Sequence, residues 1–142
     1  MKVSAKAEYA CIAMLELAAD YAGGQPTRIK AIAEAYGISQ RFLVQVLLQL
    51  KTAKLVDSVR GASGGYRLAR PPERISLADV LRGVEKQGRT RSALKDTNAA
   101  PARTLINLWK EFEDEEQRRL EGLTFAELLR RARQGADLSY QI

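Results

Sequence analysis

The stretch from Thr27 to Leu50 constrains the fold most. Ile29, Ile32, Ala33 and Tyr36 recur at i, i+3, i+4 and i+7, and Phe42, Leu43, Val46, Leu47 and Leu50 form a second apolar stripe of the same period. Gly37 stands between the two segments, where glycine accepts the left-handed backbone that ends a helix. Ile38 then plugs the corner and Ser39 caps the following helix, while Thr27 is read as the N-cap of the first. Two short helices joined across a glycine turn of about three residues are the signature of a helix-turn-helix.

The flanks complete a unit around it. From Ser4 to about Ala22, Tyr9, Ile12, Leu15 and Ala19 form one stripe and Ala10, Met14, Leu17 and Tyr21 another, which predicts a helix buried on two sides and stopped by Gly23-Gly24. Leu55 to Val59 and Tyr66 to Ala69 read as strands on either side of a glycine-rich hairpin tip, Arg60-Gly61-Ala62-Ser63-Gly64-Gly65, and Pro71-Pro72 closes the unit. Ser76 caps the next helix with Asp79 in the capping-box position and Ile75 stapled onto Val80. The expected fold is mainly α with a small β-hairpin: a winged helix-turn-helix domain over residues 1–85, a loop or mobile segment over 86–100, and helices over 101–142. From Pro101, Leu105, Leu108, Trp109, Phe112 and Leu120 lie on or near one helical face, with Glu111, Glu113, Asp114, Glu115 and Glu116 on the other. Leu123 to Leu128 repeats the staple-and-box pattern and opens a last helix through Leu129 to about Arg133.

Charge narrows the partners. Residues 1–70 carry 10 basic and 5 acidic side chains, whereas residues 71–142 carry 13 and 12. A basic half-chain attracts a polyanion, either nucleic acid or an anionic membrane surface. No apolar run reaches the roughly 18 residues of a membrane span, and no surface-lying amphipathic helix stands out, so no membrane partner is expected. The single cysteine, Cys11, has no intramolecular disulfide partner and no signal peptide pattern is present, which makes the cytoplasm the default compartment. With no histidine in the chain, nucleophile and base pairings and zinc constellations fall away, and neither a catalytic residue, a metal nor a cofactor is expected.

The second helix of the motif turns Ser39, Gln40, Arg41, Val44, Gln45 and Leu48 away from its core stripe. Arg and Gln each make paired hydrogen bonds to base edges, to guanine and adenine respectively, while Ser39 at the helix N-terminus suits phosphate. Arg60 at the hairpin tip is placed to enter a minor groove, and Thr27, Arg28 and the backbone near Gly64 and Gly65 to position phosphates. Singly, a glycine cluster is more often an ordinary turn and a polar helix face merely solvated. Order and spacing, with the basic excess confined to this region, favour double-stranded DNA as the partner. Elsewhere the plainer readings win. Glu111 to Glu116 is a solvated face, Arg89, Arg91 and Lys95 a polar linker, and Cys11 a packing residue rather than a sensor.

Glu8-Tyr9-Ala10, Ile32-Ala33, Gly37-Ile38-Ser39, Phe42-Leu43, Gln45, Leu50 and above all Ser58 to Arg70 resemble the Rrf-two family of bacterial winged-helix transcription regulators, strongly over about the first 85 residues and loosely beyond. The resemblance implies a repressor or regulator that binds a partly palindromic operator as a homodimer, joined through the helix bearing Leu105, Leu108, Trp109 and Phe112. Periodicity alone would equally let Trp109 fill the core. Cluster-bearing relatives hold an iron-sulfur cluster on three cysteines between wing and dimerisation helix, and Lys86 to Ala102 contains none, which implies a cluster-free member answering to a protein or small-molecule effector. Many relatives carry an acidic residue where Val44 precedes Gln45. A carboxylate accepts from cytosine and valine cannot, so the operator is expected to differ there. The rival expectation is a winged-helix module that docks onto a partner enzyme.

Overall fold

The computed structural model describes residues 1–85 and 92–141, with side chains to residue 136. The chain runs α1 (Ala5–Tyr21), α2 (Ile29–Tyr36), α3 (Gln40–Thr52), β1 (Val56–Val59), β2 (Gly65–Leu68), a 3-10 turn (Pro72–Arg74), α4 (Leu77–Val84), α5 (Ala100–Gly122) and α6 (Phe125–Gln141). The mainly helical fold with one two-stranded antiparallel hairpin is the one the sequence predicts. Arg89 and Arg91 lie outside the described residues, and Lys95 sits exposed in a turn before α5.

Helix α1 is the hub, packing against α3, β2, α4 and α6. Ala7, Ala10 and Ala13 let neighbours approach its axis closely, and Met14 and Leu17 fill the space beside them. Leu43, Val46, Leu47 and Leu50 of α3 close the core from the other side, joined by Ile75, Val80 and Phe125. Each such large side chain contributes roughly 1.5–3 kcal/mol by leaving water. The local signals behave as chemistry requires: Ser4 accepts from the Ala7 amide at 3.1 Å, Gly37 takes φ 64°, and Ser76 and Asp79 form a reciprocal capping box.

Three local expectations are corrected. Thr27 does not cap α2, because its hydroxyl is donated to Asp20 and its backbone pairs with Tyr66; Arg28 occupies the N-cap without a side-chain bond. The box at Thr124 is half formed. Thr124 accepts from the Glu127 amide at 3.1 Å, but the Glu127 carboxylate turns to Arg130 and Arg131. Helix α6 continues to Gln141 rather than about Arg133, beyond the last apolar repeat. Leu120, on or near the same helical face as Trp109, packs against the core.

Between α3 and β1 the chain turns through Lys54, whose φ of 63° is the left-handed conformation at a non-glycine residue. The Leu55 amide reaches back to the Leu50 carbonyl at 3.0 Å, which closes the helix end. Left-handed backbone costs a residue with a Cβ about 1–2 kcal/mol, and glycine's greater unfolded-state freedom takes back part of that. Lys54→Gly is therefore expected to stabilise the fold by about 0.5–1 kcal/mol, read as a raised denaturation midpoint in urea with an unchanged slope.

Candidate nucleic-acid interface

Helix α3 meets α2 across Gly37 and is anchored by its buried stripe, so its opposite face is fixed outward. Gln40, Arg41 and Gln45 are exposed on that face, Val44 is half-buried, and Leu48 is 50% exposed. Ser39 starts the helix, accepting from the Phe42 amide at 3.4 Å, with its hydroxyl still at the surface. Among the described residues, Gln40, Arg41 and Gln45 make no side-chain bond within the chain, so their donors and acceptors are available to a ligand.

The wing is the antiparallel pair of β1 and β2, in register from Val56 opposite Leu68 to Val59 opposite Gly65. Arg60 stands exposed at the start of its tip, likewise without a partner among the described residues. The wing is tied to the body at three points. Thr27 and Tyr66 exchange two backbone bonds, the Thr27 amide donating to Tyr66 at 2.7 Å and the Tyr66 amide donating back at 2.9 Å. Lys51, at the end of α3, donates from Nζ to Ser58 Oγ of β1 at 2.8 Å. The Arg28 guanidinium donates to the Ala62 carbonyl of the tip.

These contacts give several candidates a place within the fold. Thr27 is only 8% exposed, and its hydroxyl donates to Asp20 Oδ2 at 2.5 Å, so its side chain holds the wing strand to α1 rather than facing outward. Arg28 remains at the surface but braces the tip. Gly64 and Gly65 are required by the fold itself: a Cβ on Gly64 would stand 2.2 Å from the Val59 carbonyl oxygen, and one on Gly65 2.3 Å from that of Thr27. Sequence reasoning missed Asp20 and Lys51, whose partners are distant in the chain or on another element. The signal available for Lys51 was its position at the C-terminal end of the outward face of α3, one turn past Leu48.

On α5, Leu105, Leu108, Trp109 and Phe112 are all exposed, Trp109 and Phe112 each at 50%, and their two rings lie 6.2 Å apart. Trp109 does not fill the core of its own chain. Ala102 is the one buried residue of this helix.

Over residues 3–131 the chain matches the profile of the Rrf2 family, described as iron-dependent transcriptional regulator, and it belongs to that family. It is similar to the HTH-type transcriptional regulator CymR of Bacillus subtilis, 34% identical over 128 residues that cover 90% of this chain and 89% of that one. A Mycobacterium tuberculosis protein assigned as an HTH-type transcriptional regulator is 51% identical over 85 residues, 60% of this chain; the match spans about half of that relative's length, 52%. Among solved structures, CymR of B. subtilis superposes with a TM-score of 0.80 at 34% identity over 91% of this chain and 96% of its own, and T. potens IscR with a TM-score of 0.75 at 34% identity over 93% and 88%. The chain thus has the fold of a family of DNA-binding transcriptional regulators.

The iron dependence in the family's description does not fit the donors of this chain. Cys11 is its one thiol and it has no histidine. Burial first, then the charges of Glu85 and Glu8, push the Cys11 thiol up to about 11, away from the thiolate an iron-sulfur cluster requires. Among the described residues no group of three or more His, Cys, Asp or Glu converges to hold a metal ion. Nor is any helix among them long and apolar enough to cross a membrane.

Proposed function

We propose that the chain is a cytoplasmic, sequence-specific repressor that binds a partly palindromic operator as a homodimer without a cofactor. Residues 1–85 form its DNA-reading unit, 86–100 a connector, and 101–142 the assembly unit. The supporting observation is the contrast between a wing fastened to the body at three points and unpartnered reading groups on either side of it. Gln40, Arg41 and Gln45 serve the major groove with Ser39 on a phosphate. Arg60 serves the adjacent minor groove, whose potential favours arginine, and the tip backbone near Gly64 and Gly65, with Arg28 and Lys51, lies along phosphates.

The exposed stripe of Leu105, Leu108, Trp109 and Phe112 supports assembly. A helix of 23 residues is about 34 Å long, and its apolar seam at i, i+3, i+4 and i+7 suits a second copy of itself. Two-fold pairing would present two recognition helices to half-sites separated by about one or more turns of B-DNA.

Arg60→Ala is expected to lower operator affinity by about 1–3 kcal/mol while leaving the thermal midpoint unchanged, since Arg60 is exposed and unpartnered. Fluorescence polarisation with a labelled operator and calorimetry on the same sample read both. Undiminished binding would remove the wing tip from recognition.

A further inference from the structure

A cleft of about 530 Å³ lies between the end of α1, the 3-10 turn and α6, away from both α3 and the wing. Much of its lining is apolar, contributed by Ala18, Ala22, Pro72, Ala126 and Leu129 together with Tyr21. That volume falls within the roughly 300–1,000 Å³ range of small-molecule sites.

Its rim carries charge of both signs. Three charged side chains line it: Glu73, Arg130 and Arg133. Arg130 is held by Glu127 through bonds of 2.8 and 2.6 Å, whereas Glu73 and Arg133 have no ion-pair partner among the described residues. The cleft thus offers a largely apolar lining with one uncommitted carboxylate, Glu73, and one uncommitted guanidinium, Arg133, the latter a group that binds carboxylate through paired hydrogen bonds.

The same cleft is connected to the wing. Ala19 and Tyr21 line it, and Asp20 between them accepts the Thr27 hydroxyl at 2.5 Å. Thr27 in turn exchanges both backbone bonds with Tyr66 of β2. An occupant that wedges the last turn of α1 against α6 therefore restrains the residue that fastens the wing, a coupling that needs only reduced freedom at Asp20.

We infer that this cleft is an effector site for a small organic anion with an apolar body, an aryl or branched-alkyl carboxylate, whose binding steadies the wing through Asp20 and Thr27. Its consequence for DNA rests on the regulator reading above; binding in the cleft does not. The test titrates isotope-labelled protein with 3-phenylpropionate and with its neutral amide, following backbone amide resonances without DNA. Expected are saturable shifts at Tyr21 and Leu129 that extend to Thr27 and Tyr66, with dissociation in about the millimolar range for so small a probe. The acid should bind about tenfold more tightly than the amide, a difference that Arg133→Gln removes. Ala126→Leu should fill the cleft and abolish saturation. Equal binding of acid and amide by the wild type, or no saturable shift, would overturn the site; shifts that stop short of Thr27 and Tyr66 would overturn the coupling. With operator DNA added, the acid should tighten binding by about fivefold, within the usual range of linkage. Wild-type protein that binds the acid but no DNA would refute the regulator reading while leaving the site intact.

Discussion

Gly65→Ala is expected to destabilise the protein by about 2–3 kcal/mol and to reduce operator affinity by roughly a hundredfold, because overpacked sites of this kind cannot relax without backbone movement. The added Cβ would lie 2.3 Å from the Thr27 carbonyl oxygen and 2.7 Å from its carbon, both backbone atoms with nowhere to go. The nearest relief is separation of the wing from Thr27, which breaks both bonds to Tyr66 and leaves buried groups of the Thr27 peptide unpaired. Reading groups on α3 would keep their places while Arg60 lost its position. Gly61→Ala is the informative control: it meets open space and is strained only through its φ of 107°, so a smaller cost of about 1 kcal/mol is expected. Thermal unfolding and polarisation on the two variants decide the matter. A Gly65→Ala protein with unchanged midpoint and affinity would mean that the wing is not fastened at Thr27.

The double variant Leu108→Glu with Trp109→Glu is expected to convert a dimer into a folded monomer. Both side chains are exposed in the single chain, so their loss removes nothing from the core. In the proposed seam, two large apolar groups per protomer leave the interface and four like charges enter it. At about 1 kcal/mol or more for each half-exposed side chain that pairing would bury, the loss exceeds about 4 kcal/mol, a thousandfold weaker association. Operator binding should fall in parallel, since two half-sites no longer act as one linked contact. Sedimentation equilibrium reads the first effect and circular dichroism the intact helix content. A persisting dimer of the double variant would place the assembly surface elsewhere.

What the sequence made legible is local. Gly37, Ser39, Ser76 and Asp79 act within four residues of themselves, and capping chemistry at that range depends little on the rest of the chain. The hairpin was likewise visible from its glycine-rich tip. The fastening of the wing was not, because Thr27 looks like any N-cap until Tyr66 and Asp20 arrive beside it through tertiary packing. Gly64 and Gly65 show a demand that the sequence did not reveal: the fold itself needs them for close backbone approaches to Val59 and Thr27 of the same chain. The extent of α6 was underestimated because apolar periodicity fades after Leu129, while Arg, Ala and Gln sustain a helix by propensity without it. Periodicity left Trp109 equally suited to core or interface, and its exposure excludes the core of its own protomer.

The central claim is specific, dimeric DNA recognition, and the most direct measurement is binding of the purified protein to labelled DNA from upstream of its own gene, with excess unrelated competitor, across a salt series. Neutralising about six phosphates predicts a log-log slope near -5 together with resistance to competitor and two protomers per site. Binding no tighter than to random DNA, or association indifferent to salt, would contradict it.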